Sequence, residues 1–132
     1  MIISRPDFLW TWRSPEDEGL PAAQQTEFVF RLPTHEETAW FADRAAQPIL
    51  AFAPEIVRAL LMDVRKLEDV DGKPVTMESE GSPPTLMGQI ASRQQVPSLM
   101  FLRRFGPAQL QQLAQAAVRA VPVRATEGER GK

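Results

Sequence analysis

Cysteine is absent from this chain and histidine occurs only once, which excludes several kinds of site from the start. Without cysteine there is no disulfide framework, no thiolate nucleophile and no cysteine-bound zinc. No stretch approaches the roughly 18 apolar residues of a membrane helix, and the glycine-rich motifs that bind nucleotide phosphates are missing. We therefore expect a protein with no cofactor, no bound metal and no membrane partner.

A strong charge of either sign is also lacking. The 132 residues include 15 Lys+Arg and 17 Asp+Glu, and the basic residues are scattered rather than clustered, which argues against nucleic acid as a partner. A hydrophobic share of 43% and a charged share of 24% are typical of a globular domain. Acidic Asp7, with no long apolar run after Arg5, is not typical of a secretory signal, so we expect a cytoplasmic protein.

The residues that catalysis or metal binding would need have simpler interpretations. His35 lies beside two glutamates in the first turn of a predicted helix, and no positioned nucleophile accompanies it in the sequence. Asp69, Asp71, Gly72 and Glu78 match four offsets of a calcium-binding EF-hand loop, but its first position is Leu67. We predict that the protein is not an enzyme; carboxylates brought together only by folding are the remaining alternative.

The chain divides into three parts by composition. Residues 1–26 are broken up by prolines and predict an irregular arm, yet they contain Trp10 and Trp12, whose large apolar rings are rarely left in water. We favour packing of this arm on its own domain over packing on a partner. Residues 27–121 predict a helical domain, and the polar residues 122–132 a flexible tail.

A strand followed by a helix is the clearest local signal. The segment 27–32 alternates, with Phe28, Phe30 and Leu32 on one side, as in a half-buried strand. Thr34 and Glu37 have the spacing of a capping box, so a helix is predicted over 34–46.

Further helices are predicted from apolar spacing and from turn residues. Pro54 suits a first helical position, and the stripe that follows continues to Leu67, before a turn or short hairpin at Asp71–Gly72. A polar loop is predicted over 76–84, followed by a helix from Ser82 that carries Leu86, Met87 and Ile90. Another helix is predicted over 97–105. The last helix begins after the Gly106–Pro107 corner and has glutamines opposite its apolar stripe. These elements predict a mainly α fold with a minor β-strand or hairpin, built as a small helical bundle with an irregular aromatic N-terminal arm.

Large apolar and arginine side chains are the candidate partner-binding residues, because these types are enriched in interfaces. For Arg103 and Arg104 a core helix with a charged outer edge is the favoured alternative. The candidates are Trp10, Trp12, Phe101, Arg103, Arg104, Phe105, Leu110 and Leu113.

Two stretches are similar to one known family. Residues 27–37, which read EFVFRLPTHEE, and residues 64–75, which read VRKLEDVDGKPV, resemble tail assembly chaperones of long-tailed bacteriophages. The resemblance extends over residues 27–120, and in that family a strand and a helix precede a second helix, an Asp-Gly-x-Pro turn and small helices. It implies a cytoplasmic, non-enzymatic protein that covers the long helical tape-measure protein until the tail tube polymerises around it.

Two other classes of binding protein fit the same residues. One is a minor structural or connector component of a phage particle, and the other is a small inhibitor that binds a host protein complex. Stable incorporation into particles would favour the structural component, and acidic surface concentrated on one face would favour the inhibitor. Whether the chain forms a homo-oligomer is left open.

Overall fold

The computed structural model describes residues 9–44, 46–81 and 95–130, with side chains of the last helix described as far as residue 118. Seven strands within these residues form three small antiparallel sheets. The strands are β1 (Leu9–Arg13), β2 (Glu27–Arg31), β3 (Leu61–Arg65), β4 (Leu67–Glu68), β5 (Pro74–Val75), β6 (Ser79–Gly81) and β7 (Gln95–Pro97). The described α-helices are α1 (His35–Asp43), α2 (Ala53–Leu60), α3 (Leu99–Leu102) and α4 (Pro107–Arg130).

This architecture is mixed α/β, so the predicted mainly α bundle is wrong. Strands β1, β2 and β3 form the largest sheet, with β2 in the middle. The supposedly irregular arm contributes β1, in which Trp10 lies opposite Phe30 and stacks on it at 5.1 Å between ring centroids. Leu9–Arg13 is thus a strand packed on its own domain, and the aromatic cross-strand pair contributes to its stability.

The helix predicted from Pro54 to Leu67 stops halfway. Helix α2 ends at Leu60, and the chain continues directly into β3. A bulge at Met62 places Leu61 opposite Phe30 and Val64 opposite Phe28, so two residues three apart point to the same face of the sheet. Apolar residues three apart are also typical of a helix, so the sequence pattern predicts a helix that is longer than α2.

The strand β2 and the capping box that follows it are confirmed. The Thr34 hydroxyl accepts a hydrogen bond from the Glu37 amide at 3.2 Å, and the Glu37 carboxylate accepts one from the Thr34 amide at 2.7 Å. Glu37 is fully buried and also forms an ion pair with Arg31 of β2 at 2.5 Å. Helix α1 is therefore tied to the sheet at its first turn, although it ends at Asp43, earlier than predicted.

The predicted turn at Asp71–Gly72 is confirmed as the turn between β4 and β5. Gly72 has a φ of 78°, a left-handed conformation that glycine adopts without strain. The Asp69 carboxylate accepts hydrogen bonds from the amides of Asp71 at 2.8 Å and Lys73 at 3.0 Å. These bonds fix the hairpin's shape and leave Val70 fully exposed at its tip.

Several C-terminal predictions change. The helix predicted over 97–105 is wrong in extent, because Pro97 ends strand β7 and only the short helix α3 follows it. Part of the predicted loop over 76–84 is strand β6, which pairs with β7. Helix α4 begins at Pro107 as predicted and continues past Pro122 to Arg130, so the backbone of the predicted tail is helical as far as that residue. The flexibility of this segment stays a prediction. The helix predicted around Leu86, Met87 and Ile90 lies outside the described residues.

Helix α2 is the centre of the core. It packs against α4 and β7, and five of its side chains are fully buried: Ala53, Ile56, Val57, Ala59 and Leu60. The inward face of the sheet covers the same cluster, to which Phe101, Leu102, Leu113, Ala114 and Ala117 also belong. The groove described next lies where this core reaches the surface.

Candidate functional site

Two adjoining cavities lie beside the first turns of α4, and together we call them the groove. The deep cavity, of about 180 Å³, lies between the ends of β1 and β2 and helix α4. The outer cavity, of about 370 Å³, lies between the β4–β5 hairpin and the corner that precedes α4. Both are lined by Leu67, Glu68, Phe105 and Gln109, so they form one continuous depression.

The floor of the deep cavity is apolar and mainly aromatic. Trp12 contacts Phe28 at 5.7 Å between ring centroids, and Phe28 contacts Phe105 at 6.0 Å. Leu67 and Leu113 complete the floor. Phe28 and Leu113 are buried, whereas Trp12, Leu67 and Phe105 are half-buried, so part of this apolar surface faces the cavity. Phe105 rests edge-on against fully buried Phe101 at 5.4 Å, which connects the floor to the core.

One part of the rim is a short turn held against α4. Ser14 caps the 3-10 turn Pro15–Asp17 by accepting a hydrogen bond from the Glu16 amide. Asp17 accepts one from the Thr26 amide at 2.8 Å, and Glu16 accepts one from the Gln109 side-chain amide at 3.1 Å. The turn thereby directs two carboxylates to the groove.

The other part of the rim is the β4–β5 hairpin, which supplies Glu68 and Asp69. Among the described residues, none of the ion pairs includes Glu16, Asp17, Glu68 or Asp69. Arg104 is the one basic residue among those that the structure describes as lining the two cavities. The groove is therefore apolar at its floor and predominantly acidic at its rim.

The structure brings together half of the predicted partner-binding residues. Trp12, Phe105 and Leu113 line the deep cavity, and Arg104 lines the outer cavity. The others lie elsewhere: Trp10 and Phe101 are buried in the core, Leu110 packs partly against it, and Arg103 is exposed without lining either cavity. Buried Trp10 and Phe101 are not accessible to a partner in this conformation.

Sequence reasoning missed Phe28, Leu67, Glu68 and Gln109 as groove residues. The alternation in residues 27–32 predicts only that Phe28 lies on one side of a half-buried strand, and Gln109 is one of the glutamines predicted to lie opposite the apolar stripe of the last helix. The acidic residues 16–18 form a visible run in the sequence, but nothing local indicates that they lie beside the hairpin.

Neither a metal-binding cluster nor the single histidine lies at the groove among the residues that the structure describes. Within the residues that the structure describes, there is no group of three or more His, Asp or Glu side chains arranged to hold a metal ion. His35 is exposed at the first residue of α1 and does not line the groove. The Asp69 carboxylate is engaged with backbone amides of its own turn.

Comparison of the chain with protein-family models, with curated proteins and with solved structures gives no match. Of the helices in the described ranges, none combines the length and the apolar character needed to cross a bilayer.

Proposed function

We propose that this chain is a non-enzymatic protein-binding protein and that the groove receives a segment of its partner. The observation that carries the proposal is the Trp12–Phe28–Phe105 floor, in which the half-buried rings of Trp12 and Phe105 leave aromatic surface facing a cavity. Interfaces concentrate their binding energy in a few aromatic and arginine residues that fill desolvated pockets. Arg104 beside this floor adds the second type of residue that such interfaces favour.

In its specific form, the proposal is a cytoplasmic phage tail assembly chaperone whose client is the helical tape-measure protein. Its support is the resemblance of residues 27–37 and 64–75 to that family. The order from β2 through α1 and α2 to the Asp71–Gly72 turn agrees with what the resemblance implies, with β3 and β4 as additions. A long helical client exposes apolar stripes that aggregate unless amphipathic partners cover them.

A second candidate function is inhibition of a host protein complex. The observation that favours it is the concentration of Glu16, Asp17, Glu68 and Asp69 around one depression, in a chain whose net charge is only −2. Acidic surfaces on small inhibitors are suited to basic sites on their targets, because complementary charge accelerates and directs association.

The test is affinity purification of the tagged chain from its native host during phage induction, with mass spectrometry of both the lysate and finished particles. We expect a long helical tail protein to co-purify from lysate and the chain to be absent from particles. A host enzyme complex as the sole partner would instead establish the inhibitor, and stable presence in particles a structural component.

Two variants connect that experiment to the groove. Phe105→Ala removes part of the floor and should abolish co-purification of the partner. Met100→Ala is the matched control, because Met100 is 73% exposed on α3 and does not line either cavity. If Phe105→Ala folds and retains the partner, the groove is not the binding site.

A further inference from the structure

We propose that the occupant of the groove is a basic amphipathic helix, with two bulky apolar side chains in the two cavities and flanking Lys or Arg side chains at the acidic rim. This inference rests on the proposed function, since it names the chemistry of the partner segment at the same site. It follows from the volume of the cavities, from their adjacency and from the charge around them.

The deep cavity has the size of one bulky side chain. Its volume is about 180 Å³, and its lining combines the apolar floor with polar side chains of the rim. Its floor presents the rings of Trp12, Phe28 and Phe105, so an aliphatic or aromatic side chain there would remove apolar surface from water on both partners.

The adjacency of the two cavities suits a helical occupant. The outer cavity shares Leu67, Glu68, Phe105 and Gln109 with the deep cavity, so the two side chains that fill them must lie close together. Residues i and i+4 on one face of a helix have Cβ atoms about 5–6 Å apart, which suits two adjoining cavities. Val70, fully exposed at the hairpin tip and lining the outer cavity, adds apolar contact at that end.

The charge at the rim decides which helix binds. Glu16 and Asp17 come from one segment and Glu68 and Asp69 from another, so four carboxylates face the single guanidinium of Arg104 among the described lining residues. Within the described structure none of these carboxylates is in an ion pair. An acidic segment would be repelled, and a neutral segment would desolvate these carboxylates without supplying a countercharge. A helix with Lys or Arg beside its apolar residues would contact the apolar floor and pair with the carboxylates of the rim.

The test uses three synthetic peptides of about 15 residues, titrated into the full chain by calorimetry. The first carries Leu at positions i and i+4 with flanking Lys residues on an Ala background. The second replaces Lys by Glu, and the third replaces both Leu by Ala. We expect the first peptide alone to bind measurably, and its affinity to fall at least about tenfold between low salt and about 0.5 M salt, since exposed charge pairs are screened.

Variants locate the binding site. Glu68→Gln should weaken binding of the basic peptide about two- to fivefold, the range expected for one exposed ion pair, whereas Glu36→Gln, at an exposed position in the first turn of α1, should leave it unchanged. Bound peptide should also alter the intrinsic fluorescence of the wild type. That change should disappear in Trp12→Phe and persist in Trp40→Phe, because Trp12 lines the groove and Trp40 does not.

The outcomes separate this inference from the proposed function. Equal binding of basic and acidic peptides, no binding of the basic peptide, or a Glu68→Gln variant with unchanged affinity would overturn the inference. The proposed function would still stand if a partner co-purified in a Phe105-dependent manner. Loss of that dependence would overturn the proposed function whatever the peptides do.

Discussion

Phe101 and Phe105 belong to two regions of the molecule, the core and the groove, although their rings are only 5.4 Å apart. Phe101 is fully buried among side chains of the core cluster, whereas Phe105 is half-buried at the floor of the groove. These two neighbouring rings therefore lie on either side of the boundary between the buried core and the partly exposed groove.

These two regions differ in how much apolar surface is still exposed to water and could be covered by a partner. In the core, apolar surface is already removed from water, so its contribution is to folding. In the groove, part of the surface of Trp12 and Phe105 is uncovered, so a partner that covers it gains a similar contribution on binding. Mutations in the core should affect the free energy of unfolding, and mutations in the groove should mainly affect association.

The largest expected effect comes from comparing the two phenylalanines directly. Phe101→Ala should lower the free energy of unfolding by about 3–5 kcal/mol, since it leaves a cavity in a closed core. Phe105→Ala should lower it by about 1–2 kcal/mol, because its ring is only half-buried. Urea unfolding of both variants measures the difference. Equal losses would mean that the groove floor is simply part of the core.

A second comparison concerns carboxylates in the same two environments. Glu37 is fully buried, pairs with Arg31 through two hydrogen bonds of 2.8 and 2.5 Å, and caps α1. Glu37→Ala should lower the free energy of unfolding by about 3 kcal/mol, because it leaves the largely buried Arg31 guanidinium without its countercharge. Exposed Glu68 at the groove rim should tolerate alanine within about 0.5 kcal/mol.

Glu36→Ala is the control for the helix terminus, since Glu36 lies in the same first turn but is exposed. A loss as large in Glu68→Ala as in Glu37→Ala would show that the acidic rim stabilises the fold rather than awaiting a partner. Thermal unfolding of the three variants, at one pH and one salt concentration, gives the comparison.

Elements defined by neighbouring residues could be predicted from the sequence. The alternation in Glu27–Arg31, the capping box of Thr34 and Glu37, and the turn at Gly72 all depend on contacts within a few positions. The interactions that decide them are therefore visible in a short stretch of sequence.

Elements defined by contacts between residues far apart in the chain could not be predicted from the sequence. Strand β1 lies between prolines, and what makes it a strand is pairing with β2 across the intervening residues 14–26. Strand β3 has a bulge whose spacing imitates a helix. The groove is assembled in the same way, since the contact between Glu16 and Gln109 joins residues 93 positions apart. Residue size identified Trp12 and Phe105 as candidates, but only the fold shows that acidic residues surround them.

The smallest expected effect lies outside both regions, on the open face of the sheet. Arg13 donates a hydrogen bond of 2.6 Å to Glu27 and holds the pKa of that carboxyl below its ordinary value of 4.5, with Lys66 and Arg65 lowering it further and desolvation opposing the shift. Since the pKa is lower in the folded state, the pair stabilises the fold at pH above about 4.5, and this contribution is lost as the pH falls through the folded-state pKa.

Glu27→Gln should therefore make the free energy of unfolding less dependent on pH in the acid range, and Arg13→Gln should do the same through the same bond. The two effects should not add in the double variant, because either substitution alone removes the interaction. Urea unfolding at pH 7 and at successively lower pH values measures them. Additive effects would mean that Arg13 and Glu27 act on stability independently, so their hydrogen bond would not account for the acid dependence.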